Sequence, residues 1–277
     1  TSDSSANPSL LAVSAATPEA ATPAKAPRRR ALLVGIDTYE RADGEHLPTA
    51  YRGFRNLHGA AADARSLADL LIGKFGFPSD QVVVLTDHAA TRAAILADFE
   101  RRLIGDAREG DVVVFYFAGH GSQVPNPSSA EPDRRDESLV PVDASLGEPD
   151  LRDQEVRRLL HRLLDRGAKP TVILDSCYSG SAARGLFTLS TPRALLPARD
   201  AVHDPGLDPG FYGPNPFERG ALVLAAARGD EFAWETDDEQ GQAHGAFTWA
   251  LLRSLRDLSI GEPAEETFLR TRARLHA

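Results

Sequence analysis

Short apolar segments alternate with amphipathic ones along most of this chain of 277 residues. Segments rich in Val, Ile and Leu, with the length of buried strands, lie at 31–36, 81–86, 111–118, 171–176 and 221–227. Stretches with apolar residues at helical spacing lie at 58–73, 91–104, 153–166, 244–258 and 264–275. Strands that alternate with helices are typical of a mostly parallel sheet covered on both faces. The pattern therefore predicts an α/β fold, in which Thr91 and Asp153 are placed to cap the second and third helices.

Composition excludes several classes of protein. A net charge of -9 argues against a general nucleic-acid binder, which needs a basic face. No apolar stretch approaches the ~18 residues that suggest a membrane span. The single cysteine cannot form an intrachain disulfide, and it excludes zinc sites of the C-x-x-C type. We therefore expect no nucleic-acid or membrane partner. We also expect a monomer, although composition does not bear on that expectation. One unpaired cysteine favours the reducing cytoplasm, although a removed export signal would leave no trace.

The chain divides into four segments. Residues 1–27 are dominated by Ala, Ser, Thr and Pro without apolar periodicity, which predicts a disordered leader. Residues 186–217 are rich in proline and lack a clear period, which predicts a long exposed linker. The linker separates a large region, 28–185, from a small one, 218–277. The last helical stretch has no stop signal, so we expect the natural chain to continue.

Two strand ends carry residues suited to chemistry. Gly119-His120-Gly121 follows one apolar strand, and Cys177 follows the next. The carboxyl ends of neighbouring strands in an open parallel sheet form the edge where ligands bind. A thiol with an imidazole base and nearby backbone N–H donors is suited to acyl transfer through a thioester. The imidazole would assist thiolate formation and later protonate the leaving amine.

A structural role is the alternative for each of these residues taken singly. A lone cysteine at a strand end is more often a small buried hydrophobic residue, and a lone histidine is seldom catalytic. The joint pattern is much rarer than either alone. From the residues themselves, nucleophilic catalysis and a structural role both stay open.

The segments around these strand ends resemble the two catalytic motifs of metacaspases and bacterial caspase-like peptidases (orthocaspases) of peptidase family C14. These segments are YFAGHGSQ at 116–123 and DSCYSG at 175–180. The first strand at 30–36, the start of the first helix at 57–64 and the acidic loop at 131–143 also resemble that family. The resemblance keeps its order from about residue 30 to about residue 260, which makes it far more specific than either short motif.

The resemblance implies a caspase-haemoglobinase fold with a central sheet of about six strands. It implies a cysteine endopeptidase with a dyad of Cys177 and His120, and an oxyanion hole made by the backbone N–H groups of Gly121 and Cys177. It also implies cleavage after Arg or Lys, with Asp63 and Asp175 lining an acidic S1 pocket. Two carboxylates beside the nucleophile would bind a guanidinium and reject an acidic side chain. From the residues alone, a structural role is favoured for both, with Asp63 as an exposed helix acid and Asp175 as a turn or cap residue.

Calcium is the cofactor that the resemblance raises, because many metacaspases need it. Asp133, Asp136 and Glu137 offer the hard oxygen ligands that this ion prefers. Arg184 stands where a further acidic ligand is expected and would repel a cation. A solvated acidic loop is the alternative, and we expect no cofactor to be required.

The expected partners are polypeptide substrates with a basic P1 residue. Arg184, Arg193 and Arg199 lie at or within the predicted linker, so an enzyme of this specificity would have candidate sites for self-cleavage at 184–217. The alternative function is a caspase-like scaffold or signalling module without turnover. Inactive relatives usually lose the His or the Cys, whereas both stand in intact motifs here. A flavodoxin-like phosphate binder is excluded, since no phosphate-cradling loop follows the first strand.

Overall fold

A computed structural model describes residues 26–39, 53–128, 134–177, 193, 195, 214–226, 233–259 and 261–275. The predicted leader at 1–27 therefore lies outside the described residues except for its last two. The strands are β1 (Arg29–Gly35), β2 (Val82–Thr86), β3 (Val112–Ala118), β4 (Gly121–Pro125), β5 (Arg135–Leu139), β6 (Leu151–Arg152), β7 (Lys169–Asp175), β8 (Leu222–Ala225), β9 (Glu235–Asp237) and β10 (Ala243–Gly245). The α-helices are α1 (Ala60–Gly73), α2 (Arg92–Asp98), α3 (Asp153–Asp165), α4 (Ala246–Asp257) and α5 (Ala264–Leu275). A π-helical segment, Phe99–Ile104, continues α2.

Five parallel strands form the central sheet, in the order β2-β1-β3-β7-β8. This confirms the predicted α/β fold with a parallel sheet, although the described sheet has five strands where about six were expected. The other strands pair among themselves instead of extending it. β4, β5 and β6 form a three-stranded antiparallel sheet, and β9 pairs with β10.

Both faces of the central sheet are covered, which explains why its strands are continuous apolar runs. Side chains alternate between the faces along each strand. In β1, Ala31 and Leu33 pack with apolar residues of α1 and α4, whereas Leu32 and Val34 pack with those of α2, the π-helical segment and α3. The amphipathic stretches of the sequence therefore become the two helical layers.

The two predicted helix caps have different outcomes. Thr91 is the N-cap of α2, and its side chain accepts a hydrogen bond from the N–H of Ala94 at 3.2 Å. The prediction for Asp153 is wrong by one residue, because α3 begins at Asp153 itself. The N-cap is Arg152, whose N–H donates to Glu155 Oε2 at 3.1 Å. That glutamate stands where a capping-box acid reaches back to the N-cap.

The sheet topology brings the two chemically interesting strand ends side by side. β3 and β7 are hydrogen-bonded neighbours, and Ala118 is the register partner of Asp175. His120 and Cys177 therefore each follow the sheet edge at the same distance along the chain. Within the described part of the chain, no helix is long and apolar enough to cross a membrane.

Candidate active site

His120 and Cys177 lie at the carboxyl edge of the sheet, and both are buried. The backbone of Gly121 passes directly against that of Cys177. A β-carbon at residue 121 would lie 2.1 Å from the Cys177 carbonyl oxygen, so only glycine fits this approach. The glycine after the histidine thus permits the two strand ends to meet.

The imidazole of His120 is held from two sides. Its Nε2 lies 2.7 Å from the carbonyl oxygen of Arg55, and its ring packs against Tyr39 with the centroids 4.8 Å apart. The Tyr39 hydroxyl also accepts a hydrogen bond from the backbone N–H of His120 at 2.7 Å. A carbonyl oxygen can only accept, so Nε2 carries the proton and the lone pair of the neutral ring is on Nδ1.

The Cys177 thiol contacts the backbone of residue 233. Sγ lies 3.3 Å from the Ala233 carbonyl oxygen and also accepts a hydrogen bond from the Ala233 N–H. Burial raises the pKa of Cys177 to about 12, and the nearby Asp175 carboxylate adds to the shift. The thiol is therefore protonated at neutral pH in this arrangement.

Arg193 fills a buried acidic pocket beside the thiol. Its side chain is 0% exposed, and its guanidinium lies 3.1 Å from Asp175, 3.4 Å from Glu235 and 3.5 Å from Asp63. Burial alone would lower the pKa of Arg193, but Asp175 and Asp63 outweigh it and raise the pKa. We predicted a flexible, exposed setting for this arginine, and that is wrong. The prediction depended on the local proline-rich composition. The carboxylates that bury this arginine come from distant segments, which local composition cannot indicate.

Asp63 and Asp175, the two predicted pocket acids, are oriented by hydrogen bonds from the small region. Asp63 accepts from the N–H of Gly245 at 2.7 Å and contacts His244 Nδ1 at 2.6 Å. Asp175 accepts from the hydroxyl of Thr248 at 2.6 Å and from its N–H at 3.2 Å. Burial raises the pKa of Asp63, although His244 and the bound guanidinium oppose that shift.

A glycine at the pocket wall makes room for the guanidinium. A β-carbon at residue 245 would lie 2.1 Å from Asp175 Oδ2 and 2.6 Å from Arg193 Nη1. Any larger residue there would collide with both partners of the ion pair. Gly245 is therefore part of the shape of the pocket.

Sequence reasoning did not find Glu235, the third pocket acid. Its Oε1 accepts from the N–H groups of His58 at 3.0 Å and Gly59 at 3.1 Å, just ahead of α1. The sequence places it in an acidic run with no distinguishing motif. The same holds for the Arg55 carbonyl, since a backbone acceptor has no residue signature.

Backbone hydrogen bonds hold Arg193 and Leu195 in the site. The carbonyl oxygen of Arg193 accepts from the N–H groups of Gly121 at 3.0 Å and Cys177 at 3.2 Å. The Arg193 N–H donates to the Ala233 carbonyl at 3.2 Å, and the Leu195 N–H donates to the Gly121 carbonyl at 2.9 Å. The carbonyl group therefore lies between the two donors that we predicted as an oxyanion hole. Arg184 and Arg199 lie outside the described residues.

The acidic loop is described only in part, because Asp133 lies outside the described residues. Asp136 is buried and accepts a hydrogen bond from the Asn126 side chain at 2.8 Å, whereas Glu137 follows it in β5 and so points to the opposite face. Burial, and then Asp136, raises the pKa of Asp153 to about 7. In the part of the chain that the structure describes, no three His, Cys, Asp or Glu side chains form a metal-binding group. Calcium binding at Asp133, Asp136 and Glu137 stays a prediction.

Comparison with known sequences gives one family. The family model of the metacaspase peptidase C14 domain matches residues 29–184, more than half of the chain. Metacaspase-1 of Schizosaccharomyces pombe is 31% identical over 186 residues, 65% of this chain and 40% of that protein. Metacaspase-9 of Arabidopsis thaliana is 34% identical over 160 residues, 55% of this chain and 44% of that protein. Metacaspase-1A of Aspergillus oryzae is 28% identical over 269 residues, 82% of this chain and 60% of that protein. The chain thus spans between 40% and 60% of the length of these relatives.

Two solved structures share the fold. Protein GSU0716 from Geobacter sulfurreducens superposes with a TM-score of 0.64 at 24% identity, covering 90% of this chain and 89% of that one. Caspase-1 from Spodoptera frugiperda superposes with a TM-score of 0.53 at 12% identity, covering 90% and 76%. The expected caspase-haemoglobinase fold is confirmed.

Proposed function

The chain belongs to the metacaspase family of C14 peptidases, and on that premise we propose that it is a cysteine endopeptidase cleaving polypeptides after Arg or Lys. One observation carries the proposal. Arg193 places its guanidinium among three carboxylates and its carbonyl oxygen between the N–H groups of Gly121 and Cys177. A basic P1 residue of a substrate would be held in the same way.

The chemistry follows from these contacts. Sγ of Cys177 attacks the carbonyl carbon of the P1 residue, forming a C–S bond while the carbonyl oxygen takes up negative charge. The N–H groups of Gly121 and Cys177 stabilise that oxyanion. His120 accepts the thiol proton on Nδ1 and donates it to the leaving amine as the C–N bond breaks. Water then hydrolyses the thioester, giving the P1 carboxylate and the free thiol.

We expect His120 to remove the thiol proton as the attack proceeds. The pKa of Cys177 is raised to about 12 while the site is covered. A preformed thiolate is therefore scarce in this state. The Arg55 carbonyl keeps the His120 proton on Nε2, so that Nδ1 can serve as the base.

The pocket favours Arg over Lys at P1. Nη1 of Arg193 faces Asp175, whereas Nη2 faces Asp63 and Glu235. A planar guanidinium spans all three carboxylates, whereas the ammonium group of Lys is a single point charge. We expect both residues to be accepted, with Arg cleaved faster.

Arg193 is the one candidate self-cleavage site among the described residues, and its contacts suit it to that role. Its carbonyl oxygen accepts hydrogen bonds from the N–H groups of Gly121 and Cys177, as that of a bound P1 residue would, so we expect cleavage of the bond that follows Arg193. While this segment stays in place, it excludes other substrates. Self-processing after Arg193 would therefore accompany activation.

Hydrolysis of matched fluorogenic peptides ending in Arg, Lys or Asp tests the proposal. We expect cleavage of the Arg and Lys peptides by the wild type, with no cleavage by Cys177→Ala. Assays with and without calcium test whether the cleavage rate depends on this ion, as a calcium site at Asp133, Asp136 and Glu137 would predict. Cleavage after Asp would contradict the pocket assignment. Absence of turnover under every condition would favour the scaffold function.

A further inference from the structure

Leu195 is buried although it lies in the proline-rich linker. Its exposure is 3%, and its side chain belongs to the apolar cluster on the α2–α3 face, together with Tyr39, Leu139 and Val140. An apolar side chain two residues beyond the Arg193 carbonyl thus has a defined place in the fold. Burial of this kind stabilises the position of the segment on the far side of the scissile bond.

Main-chain hydrogen bonds fix the register of this segment. The N–H of Gly121 donates to the Arg193 carbonyl at 3.0 Å, and the Gly121 carbonyl accepts from the Leu195 N–H at 2.9 Å. The hydroxyl of Ser122 also donates to the Leu195 carbonyl at 3.4 Å. One residue bonded on both sides to residues two apart is the pattern of a parallel β-bridge. Arg193 and Leu195 therefore bind the start of β4 through the hydrogen bonds that an added strand would make.

When a peptide binds by adding a strand to a sheet, one set of contacts gives affinity and another gives sequence specificity. The main-chain bonds are available to any extended peptide, whereas a pocket for an alternate side chain reads its identity. Here the hydrogen bonds to Gly121 set the spacing between the P1 carbonyl and the apolar site that buries Leu195, which belongs to the cluster of Tyr39, Leu139 and Val140. A substrate held by the same hydrogen bonds would place its P2′ side chain in that apolar site.

We propose that the apolar site occupied by Leu195 is an S2′ subsite that selects a large aliphatic residue two positions after the scissile bond. The inference rests on the proposed function, since it takes Arg193 as the P1 residue. The substrate class is then a polypeptide with a basic P1 residue and Leu, or a side chain of similar size, at P2′. The linker itself has this sequence.

The test compares three internally quenched peptides that differ only at P2′, with Arg at P1 and Ala at P1′. Their P2′ residues are Leu, Ala and Asp. We expect kcat/KM with Leu to exceed that with Ala by about tenfold or more, because a buried Leu side chain loses most of its apolar contacts when cut to Ala. Asp should be slower still, because its charge would enter an apolar site. Mass spectrometry of the products fixes the cleaved bond.

A second readout uses the linker itself. Leu195→Asp should slow the appearance of fragments cut after Arg193, whereas the volume-conserving Leu195→Met should leave it nearly unchanged. If Leu195 had only a structural role, peptides added in trans would show no preference for Leu at P2′. Equal kcat/KM for the three peptides would overturn the subsite while leaving the proposed function intact. Failure to cleave any Arg peptide would overturn both.

Discussion

Replacing Asp175 with Asn tests how the pocket recognises a basic residue. The Asp175 carboxylate lies 3.1 Å from Arg193 Nη1, and both side chains are 0% exposed. Removing one partner of a buried ion pair costs about 3–5 kcal/mol. Asp63 and Glu235 stay within 3.5 Å of the guanidinium, which places the expected loss lower. A loss of about 2–3 kcal/mol corresponds to a decrease in kcat/KM of about 30- to 150-fold.

Paired peptides with Arg or citrulline at P1 give the necessary control. Citrulline has nearly the shape of arginine without its charge, so it reports damage to the fold or to Cys177 alone. We expect Asp175→Asn to lower kcat/KM for the Arg peptide strongly and for the citrulline peptide by less than about threefold. Product formation from citrulline would be quantified by mass spectrometry, because its turnover should be slow.

Glu235→Gln is the matched comparison within the same pocket. Glu235 lies 3.4 Å from Arg193 Nη2, and its side chain is 8% exposed. The longer, partly hydrated pair should cost less, so we expect a decrease of about tenfold or less for the Arg peptide. Equal losses on Arg and citrulline peptides in Asp175→Asn, or no loss on Arg, would refute the proposed role of the carboxylates.

Two further predictions concern thiol reactivity and pH. Alkylation of Cys177 by iodoacetamide should be slow in intact chain, since burial raises its pKa to about 12 and leaves little thiolate at neutral pH. Arg193→Gln should speed that alkylation by releasing the segment, and an unchanged rate would contradict the covering role. The His244 pKa is raised because Asp63 accepts its Nδ1–H, so its contribution to stability is present below the unfolded-state pKa and lost as pH rises through the folded-state value. Urea unfolding of wild type and His244→Gln at several pH values should therefore give a stability difference that shrinks with rising pH, and a constant difference would contradict this linkage.

The sequence predicts those parts of the molecule that depend on local pattern. Continuous apolar runs predicted the parallel strands because a sheet covered on both faces needs no polar face. Adjacent parallel strands then explain why His120 and Cys177 share one edge. The sheet of β4, β5 and β6 was not predicted, since its strands are short and carry polar residues.

Long-range contacts account for what the sequence could not show. Glu235 reaches the backbone ahead of α1 across 176 residues of chain, and His244 meets Asp63 across 181. No local period encodes such pairs. The composition around Arg193 indicates exposure, yet its guanidinium is buried because three carboxylates from separate segments converge on it. Local sequence cannot predict this burial, because part of the pocket, including Glu235 and Gly245, comes from the small region.

The most direct test of the central claim is to identify the new chain ends formed when purified full-length protein is incubated. N-terminal sequencing and intact mass would be compared for wild type, Cys177→Ala and Arg193→Gln. We expect a fragment beginning at Ala194 in the wild type, with no such fragment from either variant. The same fragment from Cys177→Ala would contradict the nucleophile, and wild-type cleavage after residues that are not basic would contradict the acidic pocket.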